Sequence, residues 1–123
     1  MAGLSPTQRT LRELRDQGRV CAIVEKWNQY AGPHGCRQDL FGFIDILALD
    51  PERGVVAIQS CGQSFAEHYR KLTIERSQEV YEWLRTPGTC LELWGWTKKK
   101  VKRGGKAERW SPRVQVITLN DLK

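Results

Sequence analysis

The hydrophobic pattern at the N-terminus predicts a short helix. Ser5 and Pro6 are typical of an N-cap and a first helical position, and Gly18 is a natural helix end. Between them, Leu11 and Leu14 lie one turn apart and give the helix a single apolar stripe.

A strand is predicted to follow this helix. Residues 20–27 (VCAIVEKW) are rich in β-branched and aromatic side chains, and their alternation places Cys21, Ile23 and Glu25 on one face. Glu25 would then lie among inward-facing side chains. The polar stretch 28–42 contains several glycines and a proline, which predicts a loop.

Two apolar stretches in the middle of the chain predict a β-hairpin. They span residues 43–49 and 55–61, and the turn-forming sequence 50–54 separates them. Each stretch contains a polar residue, Asp45 in the first and Gln59 in the second.

The C-terminal half predicts one long helix and two further strands. Apolar residues at helical spacing run through 65–84 with an interruption at Arg76, and strands are predicted at 91–97 and 113–119. The order is helix, three strands, helix, two strands. It predicts one α/β or α+β domain over residues 1–123, with a central mixed sheet of about five strands flanked by helices.

Charge and composition narrow the class of partner. Lys and Arg number 20 against 14 Asp and Glu, a net charge of +6, so a polyanion such as nucleic acid is the expected partner. An anionic membrane surface would be attracted by the same field. However, the chain has no apolar run of about 18 residues and no signal-peptide pattern, which predicts a cytoplasmic protein without membrane association.

Asp45 is the strongest candidate for chemistry. It is a lone carboxylate in an apolar strand, where a charge is costly unless it is paired or binds a metal. Period two puts Gln59 and Cys61 on one face of the adjoining strand, so Asp45 and Gln59 can meet across the hairpin. With Glu25, these oxygen donors suit Mg²⁺ or Mn²⁺ rather than zinc.

This arrangement resembles the PD-(D/E)XK nuclease superfamily, particularly its small members related to Holliday-junction resolvases. In that family an acid precedes the sheet, an aspartate starts a strand of the central hairpin, and an acidic or glutamine position lies two residues before a lysine. The resemblance covers residues 5–97 and implies a restriction-endonuclease-like fold. It assigns Glu25, Asp45 and Gln59 the metal-ligand and catalytic places.

One position departs from the family pattern, because Cys61 stands where the family has its lysine. A thiol cannot supply that cation. Some members of the superfamily carry the lysine on the following helix, which nominates Lys71 as the catalytic cation, with Arg70 as the other option. An ordinary surface pair between Lys71 and Glu67 at i+4 is the favoured alternative.

Structural explanations remain open for two of the acids. Asp45 is also explained by a buried ion pair with Arg37 or Arg70. Asp39 is a candidate further metal ligand, although an aspartate in a loop is more often a turn residue.

The linker at 98–109 resembles a flexible basic hairpin tip that could follow phosphates. Trp94, Trp96 and Trp110 flank it, and either stack on bases or pack in the core. The candidate nucleic-acid-binding residues are Arg37, Arg70, Lys98, Lys99, Lys100, Lys102, Arg103, Lys106 and Arg109.

The resemblance and the charge together predict a Mg²⁺- or Mn²⁺-dependent endonuclease that hydrolyses phosphodiester bonds in DNA, with branched or junction DNA among its candidate substrates. The alternatives are a catalytically inactive nucleic-acid-binding module with the same fold, and a regulatory protein that docks an acidic partner. The resemblance also implies a homodimer, since resolvase-like enzymes pair two sites to cut two strands.

Overall fold

Helix α1 (Pro6–Asp16) begins after Ser5, as the sequence predicts. The Ser5 hydroxyl accepts a hydrogen bond from the backbone N–H of Gln8, and the Gln8 side chain accepts one from the backbone N–H of Ser5. This capping box fixes the start of the helix. The structure is a computed structural model that describes residues 3–123, so the first two residues of the predicted domain lie outside the described residues.

Five strands form a mixed sheet, and two short strands form a separate ribbon. In chain order the strands are β1 (Cys21–Ile23), β2 (Lys26–Asn28), β3 (Cys36–Gln38), β4 (Ile46–Asp50), β5 (Gly54–Cys61), β6 (Thr89–Lys100) and β7 (Glu108–Ile117). The sheet order is β1-β4-β5-β6-β7, in which β5 and β6 are parallel and the other neighbours are antiparallel. Strands β2 and β3 pair antiparallel with each other.

The long helix predicted at 65–84 is broken in the middle. It consists of α2 (Phe65–Arg70), a π-helical segment (Lys71–Glu75) and α3 (Ser77–Arg85), and a 3-10 turn (Leu119–Asp121) follows the last strand. The break lies at Arg76, the predicted interruption, whose backbone N–H donates to the carbonyl of Lys71 five residues earlier. Within residues 3–123, no helix has both the length and the apolar composition needed to cross a membrane.

The helices cover opposite faces of the sheet, and the architecture is α+β because three of the four neighbouring strand pairs in the sheet are antiparallel. On one face, α1 packs on a cluster formed by Leu11, Leu14, Ile46, Ala48, Val56, Ile58, Trp94 and Trp96. On the other face, the α2 to α3 segment packs on a cluster formed by Phe43, Ile44, Ala57, Cys61, Leu72, Val80, Leu91, Leu93 and Ile117. Alternation along β5 sends Val56 and Ile58 to the first cluster and Ala57 and Cys61 to the second.

The strand predicted at 20–27 is wrong in its extent. It is two strands with different partners, because β1 ends at Ile23 and pairs with β4, whereas β2 begins at Lys26 and pairs with β3. Glu25 therefore lies in the break between two strands. Strand β3 lies inside the stretch 28–42, which was predicted to be a loop. The sequence there does not alternate between apolar and polar residues, so it gives no signal for a strand.

The strand predicted at 43–49 begins later, at Ile46. Its first residues form a tight turn after Gly42, whose φ of 82° favours glycine. Asp45 thus lies immediately before the strand, but its backbone N–H still donates to the carbonyl of Ile58 at 2.9 Å. The side chain of Asp45 is held beside β5 by this bond.

The basic stretch at 98–109 belongs largely to a hairpin. Residues 98–100 continue β6 and Arg109 lies in β7, where it pairs with Lys99. The tip of the hairpin is therefore residues 101–107. Lys98, Lys99, Lys100 and Arg109 lie on the two strands, and Lys102, Arg103 and Lys106 lie in the tip.

Candidate functional site

Three carboxylates from different parts of the chain meet at one end of the β4–β5 hairpin. Glu25 precedes β2, Asp39 follows β3, and Asp45 precedes β4. Oxygen atoms from the three side chains all lie within 4.8 Å of one another. The β2–β3 ribbon makes this possible, because its antiparallel pairing brings its two ends, and hence Glu25 and Asp39, close together.

Asp45 is the buried member of this cluster and contacts β5 directly. Its Oδ2 atom accepts hydrogen bonds from the Gln59 side-chain amide and from the Ser60 backbone N–H, both at 2.8 Å. Burial raises the pKa of Asp45 to about 8, together with a hydrogen bond to Asp39 and the negative charges of Asp39 and Glu25, against the opposing effect of the Ser60 N–H. Asp45 therefore holds a proton near neutral pH unless another cation neutralises the cluster.

Asp39 carries the negative charge of the Asp39–Asp45 pair. Burial alone would raise its pKa, but the hydrogen bond from Asp45, the charge of Lys71, and hydrogen bonds from Lys71 and Gln59 lower it. Its backbone carbonyl also accepts a bond from the Gly42 N–H. Asp39 is thus a turn residue through its backbone and a member of the acidic cluster through its side chain.

Lys71 lies inside the site. Its Nζ atom is 3.3 Å from Asp39 Oδ2 and 3.2 Å from Gln59 Oε1. The expected surface pair with Glu67 is therefore wrong, since Lys71 forms its ion pair with Asp39. The physical reason is that three clustered carboxylates attract a cation more strongly than one solvated glutamate does.

Gln59 connects Lys71 to the carboxylates. The sequence correctly brings it to Asp45, on the same face of β5 as Cys61. Its amide nitrogen donates to Asp45 and, at 3.5 Å, to Asp39, while its oxygen accepts from Lys71. In this orientation Gln59 bridges the Asp45 carboxylate and the Lys71 amine. The sequence instead predicts that the Gln59 oxygen is a metal ligand.

Glu25 faces the open side of the cluster and is paired with Arg37. The Arg37 guanidinium is 3.2 Å from Glu25 Oε1, and its side chain is 70% exposed. The alternative in which Arg37 or Arg70 neutralises Asp45 is wrong, because Arg37 binds Glu25 and Arg70 is exposed at the end of α2. Neither arginine therefore forms an ion pair with Asp45.

Cys61, which the resemblance puts in the position of the family lysine, cannot supply a cation. Its side chain is buried, and this burial, with the negative charge of Asp45, raises the pKa of the thiol to about 11. A neutral thiol faces the second core cluster there. Within the described residues, the amine that contacts the acidic cluster comes from Lys71.

Two clefts open beside the cluster. One, of about 440 Å³, is lined by Arg37, Gln38, Asp39, Gly42, Lys71 and Arg76. The other, of about 480 Å³, contains Glu25 and Arg37 in its lining. Asp39 and Glu25 are thus reachable from solvent, each through one cleft, and cationic side chains line both clefts.

Arg76 is a site residue that the sequence did not single out. Its guanidinium crosses Gly42, where an added Cβ would lie 3.0 Å from Arg76 Cζ. The sequence signal at Arg76 is an interruption of a helical stripe, which carries no information about this contact. Only the tertiary packing of the π-helical turn against the Gly42 turn places it there.

The tryptophans near the basic hairpin divide into two groups. Trp94 and Trp96 are buried in the first core cluster, so the stacking role considered for them is wrong. Their indole N–H groups are satisfied internally, by Glu92 and Thr10 respectively. Trp110, by contrast, is 38% exposed.

The basic residues of this hairpin that are predicted to bind nucleic acid all lie on the surface. The seven exposed residues are Lys98, Lys99, Lys100, Lys102, Arg103, Lys106 and Arg109.

The donor set determines which chemistry the site can support. Carboxylate oxygens are hard ligands that suit Mg²⁺ or Mn²⁺. Within the described residues, two cations form ion pairs with the cluster of Glu25, Asp39 and Asp45, namely Arg37 and Lys71. The cluster therefore lacks one positive charge when Asp45 is ionised, and a divalent ion would supply it.

No protein-family model, curated protein or solved structure matches this chain in the comparisons.

Proposed function

We propose that this chain is a Mg²⁺- or Mn²⁺-dependent endonuclease that hydrolyses phosphodiester bonds in DNA, similar to the resolvase-like PD-(D/E)XK nucleases. The observation that carries the proposal is the meeting of Glu25, Asp39 and Asp45 with the amine of Lys71. Three acids and one lysine are the residue types that this chemistry uses. They come from four separate segments of the chain, which no local structural requirement explains.

The metal would be held by the three carboxylates. When bound, a divalent ion lowers the pKa of water and neutralises negative charge on the phosphate. Asp45 favours such an ion because a second positive charge can take the place of its proton. Ser60 and Gln59 fix the Asp45 carboxylate through their N–H groups, so the ligand is oriented before any ion arrives.

Lys71 and the arginines would act on the substrate. The Lys71 amine is held between Asp39 and Gln59, where it can donate to a developing negative charge on the phosphate oxygens. Arg37 and Arg76 line the cleft beside it and provide cations for neighbouring phosphates. The exposed lysines of the β6–β7 hairpin would follow the DNA backbone through sequence-independent electrostatics.

A cleavage assay with a matched pair of lysine variants tests the proposal. Wild-type protein should cut duplex or branched DNA in Mg²⁺ or Mn²⁺ and should not cut it in EDTA. Lys71→Gln should lose about 100-fold or more in rate, the magnitude typical of removing one preorganised donor. Lys123→Gln removes the same charge from an exposed lysine at the chain end and should retain the wild-type rate.

The result that contradicts the proposal is equal cleavage by wild type and Lys71→Gln, or no cleavage in any divalent metal by a protein that is folded by circular dichroism. Comparable loss in Lys123→Gln would instead assign the effect to net charge.

The second candidate is a DNA-binding module without catalysis. The orientation of Gln59 favours it, because the amide oxygen that a metal would need is taken by Lys71. The neutral Cys61 thiol favours it for the same reason, since it contributes neither ligand nor cation. This module would bind DNA with a steep salt dependence and would cut it in no metal.

A further inference from the structure

We infer that the β2–β3 ribbon is a stacking platform for an unpaired base of the substrate, with the Trp27 indole as its surface. This inference rests on the proposed nuclease function, because it names the structural feature of DNA that the same site recognises.

The ribbon is inserted between two members of the acidic cluster. Glu25 immediately precedes β2, and Asp39 immediately follows β3. Trp27 lines the 480 Å³ cleft together with Glu25 and Arg37. A nucleotide that enters this cleft therefore meets the indole and a carboxylate of the cluster in the same space.

The Trp27 side chain is held in place although it is on the surface. It is 58% exposed, yet its ring packs closely on Gly35, where an added Cβ would lie 2.7 Å from Trp27 Cζ2. Gly35 has a φ of 81°, so the turn of the ribbon both favours glycine and leaves room for the indole. A ring backed by the main chain loses little conformational freedom when a base stacks on it.

A cationic residue lies across the ribbon from Trp27. The register of the ribbon pairs Trp27 with Arg37, so the two are cross-strand neighbours. Arg37 is 70% exposed at its side chain and can contact the phosphate of a nucleotide whose base stacks on Trp27. A ring next to a guanidinium matches the two chemically different parts of a nucleotide.

The rest of the ribbon has the same character. Residues 26–38 contain no Asp or Glu, and they include Lys26 as a further cation. Tyr30, at the turn, is 87% exposed. It lines another cleft, of about 400 Å³, and Trp27 also lines that cleft. Two exposed aromatic rings on a basic ribbon fit successive bases of a single strand.

This arrangement selects DNA that has unpaired bases near the scissile phosphate. In a continuous duplex both faces of each base are covered by its neighbours, so the indole has no free face to contact. Branched, frayed or single-stranded segments expose such faces, and the free energy needed to unstack their bases is lower than in a continuous duplex.

A binding experiment without turnover tests the platform. Fluorescence anisotropy in EDTA would compare labelled oligo-dT of about 15 nucleotides with a duplex of the same length. Trp27→Ala should weaken binding to oligo-dT by about tenfold or more and change duplex binding by less than about twofold. Trp27→Phe should keep most of the oligo-dT affinity, because a ring is retained. Tyr81→Ala, which removes another exposed aromatic side chain, from α3, should leave both affinities unchanged.

Equal weakening of both ligands by Trp27→Ala, or unchanged binding to oligo-dT, would overturn the platform. Because no cleavage is measured, such a result in a protein that cuts DNA in Mn²⁺ contradicts the platform alone. A wild-type protein that neither cuts DNA nor binds either oligonucleotide contradicts the nuclease as well.

Discussion

Two buried carboxylates in the sheet region have opposite surroundings, and the first is Glu92 in β6. Its side chain is almost fully buried, with a residue exposure of 5%. Arg53 donates to its Oε2 atom at 2.6 Å, and the Trp94 indole N–H donates to its Oε1 atom at 2.9 Å. Glu92 is thus a complete ion pair with both oxygens satisfied.

Asp45 is equally buried, with a residue exposure of 4%, but has no such cation. The hydrogen bonds that Asp45 accepts come from neutral amides, and its charged neighbours are Asp39 and Glu25. Lys71 reaches Asp39 rather than Asp45. The negative charge at this end of the hairpin therefore exceeds the positive charge that the described residues supply.

The comparison teaches that burial of an acid does not by itself mark a candidate site, whereas the sign of the charges around it distinguishes an unpaired acid from a paired one. A carboxylate that is fully paired has no need of a ligand. One that shares its burial with other carboxylates must be neutralised by a proton or an ion. Three predictions follow from this difference in charge balance.

The largest expected effect is on metal affinity. Asp45→Asn should weaken Mn²⁺ binding by about 100-fold or more, because it removes a charged ligand from the cluster. Glu92→Gln, the matched change in the paired acid, should leave Mn²⁺ affinity unchanged. Isothermal titration of both variants and wild type with Mn²⁺ measures this. Equal affinities of Asp45→Asn and wild type would remove the metal site.

Stability without metal should respond to the same two substitutions with opposite signs. Glu92→Gln leaves Arg53 without its carboxylate and should lower the free energy of unfolding by about 1–3 kcal/mol. We expect the lower end of this range because Arg53 is partly exposed. Asp45→Asn copies the protonated acid and relieves repulsion among three carboxylates, so it should stabilise the protein by about 1–2 kcal/mol at pH 8. Thermal unfolding in EDTA at pH 8 measures both. Destabilisation by both substitutions would mean that Asp45 is a structural acid.

Part of this contrast was predictable from sequence. Alternation in an apolar strand assigned Gln59 to the face that meets Asp45, and the lone carboxylate marked Asp45 as unusual. The same signal is present at Glu92, an acid between Leu91 and Leu93. The sequence does not reveal that Glu92 is paired with Arg53, because Arg53 is 39 residues away and the pairing of β5 with β6 brings the two together.

The remaining half of the site depends on the ribbon. Strands of three residues with polar side chains have no periodic signature, so nothing local predicts that Glu25 and Asp39 converge. The resemblance nominates Lys71 from the helix that follows the hairpin, and helical spacing suggests Glu67 as its partner. Its actual partner is Asp39, which follows the ribbon. Local pattern therefore predicted the sheet and marked Asp45, and the resemblance named Glu25. Asp39 was a candidate ligand, and only the long-range pairing of the ribbon explains why it and Glu25 converge on Asp45.

The smallest and most specific effect concerns pH. The folded-state pKa of Asp45, about 8, lies above the ordinary value of 3.8, so between these values the folded protein holds a proton that the unfolded chain has lost. Its contribution to metal-free stability is therefore complete below about pH 4 and decreases as pH rises through 8. Asp39, whose pKa is lowered, contributes with the opposite sign only at acid pH. Urea unfolding in EDTA should find that the advantage of Asp45→Asn over wild type grows as pH rises from 4 to 8 and levels off above 8.

In the same pH range, Mn²⁺ binding to wild type should release about one proton, because metal and proton compete for Asp45. Titrations in two buffers of different ionisation enthalpy measure that proton. Binding at pH 7 with no proton release would mean that Asp45 is already charged, and the contrast with Glu92 would then lie in geometry rather than in protonation.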